Sequence, residues 1–322
     1  MKSSTLRQLA PVGAFYVLVL ATPTLLSYDY YYLSILNMAG IIAIVVMGLN
    51  LLLGFAGQIS LGHAALFGIS AYTTAVMTAT YGLPLAVGML SGVGLTAIVA
   101  LVVGMPVLKL KGYYLAMATL GFGLIVYIFF NEAIALTGGP SGFVGIPQLQ
   151  VGSFVFDSDL SYFFLVWTTV TLVLLISLNL IHSRVGRALM ALHASDKAAQ
   201  SMGINVARYK LFIFVLSAVF AGIAGVLYAH YLSFVAPSSF GFHFSVQLIT
   251  MVVLGGMASL WGGIAGTVFL TAMPEFLRAY ENLEVIIYGL ILILCMMYLP
   301  QGMAGGVSKL IALIRGRFGH AR

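Results

Sequence analysis

"VGRALMALHASDKAAQSMGINVARYK", residues 185–210, is a polar island in a chain that otherwise reads as hydrocarbon. Charged residues make up 7% of the 322, yet six of them lie between His182 and Lys210, and 61% of the chain is hydrophobic. Soluble domains carry about 25% charged residues, so a chain this apolar has too little polar surface to stay dissolved. The polar segment carries its own helix punctuation. Ser195 suits an N-cap, Asp196 places a negative charge in the first turn, and Gly203 suits the position after the last turn. That pattern predicts a short helix over 196–202, with Asn205 capping a further span that begins near Val206.

Connections between bundled helices typically run about 2–8 residues, and this one, 182–210, is far longer. Leu189, Leu192, Ala199 and Met202 recur at helical spacing, ringed by Arg184, Arg187, Lys197 and Lys210. Two readings fit: a protruding rod whose apolar knobs dock in the groove of a cytosolic partner, or a solvated loop resting on anionic lipid heads.

Outward from this island, uncharged runs cover 8–28, 30–108, 112–131, 160–181 and 211–274. Several far exceed the ~20 residues that carry an α-helix across a bilayer. No run alternates apolar and polar as a membrane β-barrel requires. The expectation is an all-α polytopic membrane protein, with about eight to ten membrane helices. The 36 glycines suit close helix approach in lipid. Lys2 and Arg7 before an apolar stretch resemble a secretory signal, but Pro11 and Pro23 bracket the run and no A-x-A-like site follows, so it reads as a retained first span. Cys295 lies in an apolar run and reads as packing.

Basic residues of short loops stay cytoplasmic. They cluster at Lys2 and Arg7, at Lys109 and Lys111, in the 182–210 loop, and in a tail over 300–322; the acids fall between those clusters. Arg278 and Asp196 are the exceptions. Both termini are thus expected inside, with 136–159 an outer loop of a single transmembrane domain, 1–322. The interval 242–275 has both ends outside and only 34 residues, whereas two full crossings with a turn need over ~40. A broken or re-entrant hairpin turning near "LGGMASLWGG" (254–263) is expected, a steeply tilted single span being the alternative. "LGGMASLWGGIAGTVF" (254–269) weakly echoes "LGFAGQISLGHAALFG" (53–68), as internal repeats of transporters do.

Polar side chains inside a membrane are costly and often functional. Asn50, Gln58, Ser60 and His63 interrupt an apolar run in which Gly54, Gly57 and Gly62 permit unwinding. An unwound stretch offers N–H groups to a carboxylate and carbonyls to an ammonium. Hydrogen bonding between helices explains the same residues, and for His63 it explains more. Gln247, Thr250 and Ser259 are further pathway candidates. Gly138, Gly139 and Gly142 in "LTGGPSGFVGIP" (136–147) permit positive φ in an outer loop that either meets an external partner or is simply rigid.

"KAAQSMG" (197–203) is similar to the EAA-x-x-x-G signature of ABC importer permeases, with Lys197 in place of the Glu. With "LNLLLGFAGQISLGHAALFGISAY" (49–72), "KGYYLAMATLGFG" (111–123) and "LTGGPSGFVGIP", it resembles the permeases of branched-chain amino acid ABC importers, of the LivM type. The resemblance spans roughly 33–300 in four ordered motifs. It implies the ABC importer transmembrane fold, a coupling helix formed by Ser195, Asp196, Lys197, Ala198, Ala199 and Gly203, and a place in the bacterial inner membrane. It also implies a second permease, two ATP-binding subunits and a periplasmic solute-binding protein as partners, with inward movement of Leu, Ile and Val. Urea, short amides or other amino acids are the alternative cargo.

No G-x-x-x-x-G-K-[ST] phosphate loop occurs, so ATP hydrolysis is expected in a separate subunit. An ion-coupled carrier usually needs a carboxylate within the bilayer, and all eight acids map to loops or span ends. No H-E-x-x-H or G-x-S-x-G signature supports an intramembrane enzyme. No cofactor, metal or nucleic acid is expected.

Overall fold

The computed structural model describes residues 2–25, 29–152, 154–277 and isolated positions between 289 and 305. The charge pattern also calls for a last inward crossing over 285–299, a stretch described only at scattered positions. Cys295 and nearly all of the 300–322 tail lie outside the described residues.

The chain runs as helix α1 (Lys2–Leu25), α2 (Tyr30–Asn50), α3 (His63–Ala75), α4 (Leu85–Val107), α5 (Tyr113–Glu132) and the single turn α6 (Ile134–Thr137). Two-residue strands β1 (Phe143–Val144), β2 (Gln150–Val151) and β3 (Phe154–Val155) follow. Then come α7 (Asp159–His182), α8 (Arg184–Ala194), α9 (Asp196–Ser201), α10 (Val206–Leu232), β4 (Phe234–Val235), α11 (Phe242–Gly255) and α12 (Leu260–Leu277). Both α2 and α3 end in a widened π turn, at Leu51–Phe55 and Val76–Thr80. Among the described residues, five runs are long and apolar enough to cross a membrane: 30–55, 85–107, 113–132, 159–182 and 206–232.

α2 is the axis of the bundle. A helix that is apolar on every face has to be surrounded, and each residue from Ala39 to Ala56 is buried. It packs against α7, α10, α11 and α12, while α10 packs in turn on α3 and α4. α4 and α5, equally apolar, lie at the periphery with most of their surface open. Phe15 of α1 sets its ring against Trp167 of α7 and Trp261 of α12, with centroids 6.0 and 5.3 Å away. Helix α1 runs through both Pro11 and Pro23.

Charge sorts to two ends. At the basic end Asp196 meets Lys111 and Lys210. At the acidic end the Tyr231 hydroxyl donates to Asp159 Oδ1 at 2.8 Å, and β1 pairs with β4 in register Phe143 to Val235. α10 therefore runs from the basic end to the acidic end. The 242–275 interval is a hairpin: α11 and α12 pack against each other across a turn at 256–259. Fourteen residues of α11 rise about 21 Å, short of a ~30 Å hydrocarbon core, so this is a broken element.

Candidate functional site: paired helix breaks above a basic platform

Two interruptions meet beside the inner part of α2. The first follows the π turn: residues 57–62 are non-helical, Gly57 has φ +64°, and α3 restarts at His63. The second is the 256–259 turn, where Gly256 has φ +116° and Ala258 φ +61°. Gly57 and Ala258 stand four residues after the Leu that opens each of the two echoing stretches. The weak repeat thus corresponds to a shared backbone event: a left-handed residue inside a helix interruption within the bundle. Only glycine adopts that conformation at no steric cost, so Ala258 is held there by its surroundings.

Asn50 does the holding. Its Oδ1 accepts from Ala258 N at 2.9 Å, and its Nδ2 donates to the carbonyls of Ser259 (2.8 Å) and Gly256 (3.4 Å). Gly54, in the π turn that leads into the first break, lies directly against Ala258 of the second. Ser60 Oγ and His63 Nδ1 are hydrogen-bonded at 2.9 Å, and His63 Nε2 is hydrogen-bonded to Ser217 of α10. The far end of the first break is tied to α5, where Leu61 N donates to Thr119 Oγ1 at 3.0 Å. Gln58 is buried with them. Gln247 and Thr250 lie half-buried on α11, the latter donating to its own helix at Val246, and Ser259 Oγ caps α12 by accepting from Gly262 N.

The basic end carries a platform of two helices. Ser195 caps α9 by accepting from Ala198 N, Gly203 follows it with φ +79°, and Asn205 caps α10 by accepting from Arg208 N. Lys197 and Ala198 are exposed, Ala199 is buried. The helix α8 was not anticipated. Its Arg184 and Arg187 face out while Leu189 and Leu192 turn inward, against α10 and the Leu51–Phe55 turn. This corrects the reading of Leu189, Leu192 and Ala199 as knobs for a partner: they are 1%, 4% and 1% exposed in this chain alone, and only Met202, at 79%, projects. An amphipathic stripe buries against the nearest apolar surface, and here that surface belongs to the same chain.

Asp196 is the lock. Its Oδ2 lies 2.8 Å from Lys210 Nζ and 3.1 Å from Lys111 Nζ, joining α9 to α10 and to the α4–α5 connection. Desolvation pushes its carboxyl up, but hydrogen bonds and charge from Lys210 and Lys111 outweigh that and hold it below the usual carboxylate range. The sequence signal was Asp196's position as an acid among basic loops; its partners, distant in the chain, were not readable. A depressed carboxylate adds stability that is complete above the unfolded-state pKa of ~3.9. That stability is lost as pH falls through the lower folded value. Asp196→Asn is expected to remove about 1 kcal/mol at neutral pH, a melting shift of roughly 2–4 °C, and to flatten the stability profile below pH ~4. Melting curves across that range check it.

At the acidic end, Gly138, Gly139 and Gly142 have φ of +75°, +61° and +77°. Gly142 abuts the backbone of Val235 beside the β1–β4 pair. His230, absent from the sequence candidates, is 1% exposed and bridges Thr74 on α3 (3.0 Å) and the Pro147 carbonyl (2.8 Å), fastening the 136–147 loop to the bundle.

An all-α polytopic bundle with two apposed helix breaks and a charged two-helix platform at one end defines a membrane permease subunit. The family model described as "Branched-chain amino acid transport system / permease component" matches residues 31–297, and the chain belongs to that family. It is 34% identical over 93% of its length to the high-affinity branched-chain amino acid transport system permease protein LivM of Salmonella typhimurium, covering 76% of that protein. To the LivM of Escherichia coli K12 it is 33% identical with the same coverage. To the Salmonella typhimurium permease protein LivH it is 27% identical over 82% of this chain and 91% of that one. No solved structure matches.

Proposed function

We propose that this chain is the LivM-type permease subunit of an ATP-driven importer that moves leucine, isoleucine and valine inward across the bacterial inner membrane. It forms the pathway with a second permease subunit; its likeness to both LivM and LivH supports such a pair. Two ATP-binding subunits and a periplasmic solute-binding protein complete the assembly. The basic end faces the cytoplasm, with both termini, because short-loop lysines and arginines are retained there.

The observation that carries this reading is the contact between platform and pathway. The α8 side chain His193 abuts Gly57, at the start of the first helix break. Work delivered by an ATPase to Ser195, Asp196, Lys197, Ala198, Ala199 and Gly203 reaches the interrupted spans through one layer of packing. Asn50, Gln58, Ser60, His63, Gln247 and Thr250 border the pathway, and Gly138, Gly139 and Gly142 shape the loop that meets the binding protein. With no phosphate loop in its sequence, the chain itself is not the ATPase.

Isotope uptake in a strain lacking this chain tests the proposal. Leucine uptake is expected to fall to background, to return with the gene, and to be abolished by a phosphate-loop mutation in the companion ATPase. Normal leucine uptake with lost urea uptake overturns the substrate assignment.

A further inference from the structure

The polar groups of the first break divide into two kinds. Asn50, Ser60 and His63 are engaged, as described above. Gln58 is different: it is 2% exposed, and neither its Oε1 nor its Nε2 has a hydrogen-bond partner. Its backbone is fixed, Gln58 N donating to the Leu52 carbonyl at 3.0 Å. A side-chain amide carries two donors and an acceptor, and burying them unpaired raises the free energy of whichever conformation does so.

The setting gives that unpaired amide a use. The preceding residue, Gly57, lies so close to the last turn of α8 that a Cβ there would stand 3.2 Å from His193 Nδ1. The other end of the break is tied to α5 through Leu61 and Thr119. A shift of α8 therefore acts on one end of a six-residue segment whose other end is anchored, and Gln58 is the residue next to the moving end.

We infer that Gln58 is a positioning residue for transport: its amide is unpaired in this conformation and gains partners in the alternative conformation that α8 drives. The side chain thus weakens one state of the cycle relative to the other. It does so without touching solute, since it is closed off from the open surface here. This rests on the transport reading above.

The test is Gln58→Met, which keeps an unbranched side chain of similar length and removes both hydrogen-bonding groups. The full-length chain in detergent is expected to melt roughly 3 °C or more above wild type. Maximal leucine uptake by the assembled importer is expected to fall about tenfold, with KM unchanged. Gln58→Asn, which keeps an amide, is expected to recover part of the maximal rate. A lower melting temperature or failure to assemble would mean the amide is already satisfied, by protein or by a buried water, and overturns the inference. So does an unchanged maximal rate, or a raised KM, which would make Gln58 a solute contact. If wild type itself moves no leucine, the substrate proposal fails, while the melting comparison still judges Gln58.

Discussion

Asn50→Leu is expected to abolish uptake and to release the hairpin turn from the bundle. The substitution preserves apolar bulk but removes three hydrogen bonds to the turn, and it leaves Ala258 N without a partner, while the Gly256 and Ser259 carbonyls keep their bonds from Ser259 N and Gly263 N. A donor left unpaired costs about 1–3 kcal/mol, a sizeable part of a typical folding free energy of about 5–15 kcal/mol. The left-handed backbone of Ala258, at φ +61°, adds roughly 1–2 kcal/mol of strain that the Asn50 bond now opposes. Ala258→Gly in the Asn50→Leu background is therefore expected to recover part of the lost thermal stability. Asn50→Asp, which keeps only the acceptor, should fall between. Melting curves of the purified permease, read beside uptake, decide the point; equal stability of Asn50→Leu and wild type would show that the clasp carries no weight.

Gly225→Ala is expected to be nearly as damaging, although it adds one methyl. α10 crosses α3 so closely at Gly225 that a Cβ would collide with the Phe67 carbonyl oxygen and stand 3.0 Å from Ser70 Cβ and 3.1 Å from Ala71 N. Two of those three obstacles are main chain, which cannot swing aside as a side-chain tip can. In lipid, helices associate by packing rather than by a hydrophobic drive, so prising α3 from α10 forfeits the contact along its length. A loss of ~3 kcal/mol, the upper part of the range for overpacked cores, and little membrane-inserted protein are expected. Gly94→Ala on α4 is the control, since nothing lies within 4 Å of its added methyl; it should match wild type or gain up to ~1 kcal/mol from helix propensity. Equal yields of the two variants would overturn the close-contact argument.

Much of this architecture was legible because its causes are local. Ser195, Gly203 and Asn205 act on backbone groups within three residues of themselves, so the limits of α9 could be read from the chain within a residue. The 242–275 hairpin followed from residue counting against bilayer thickness. What escaped depends on neighbours remote in sequence. Leu189 and Leu192 read as knobs for a partner, because the surface that receives them is supplied by α10 and the turn at the end of α2. A polar residue in an apolar run reads alike whether it serves a solute or a neighbouring backbone. Asn50 and Gln58 are eight positions apart, and only the fold separates the fully engaged amide from the unengaged one. Ala258 gave no sign of a left-handed turn, since alanine reaches that conformation only under compulsion.

The unbroken 27 residues of α10 form a strut about 40 Å long. Near its foot Lys210 grips the platform, about three-quarters of the way along Gly225 bears on α3, and at its head His230 grips the 136–147 loop. A stiff beam resting on an off-centre fulcrum seesaws, its long arm sweeping further than its short one. If α10 rocks over Gly225, its foot and head swing to opposite sides, so the mouth at one face of the membrane narrows as the other widens, with no messenger needed between them.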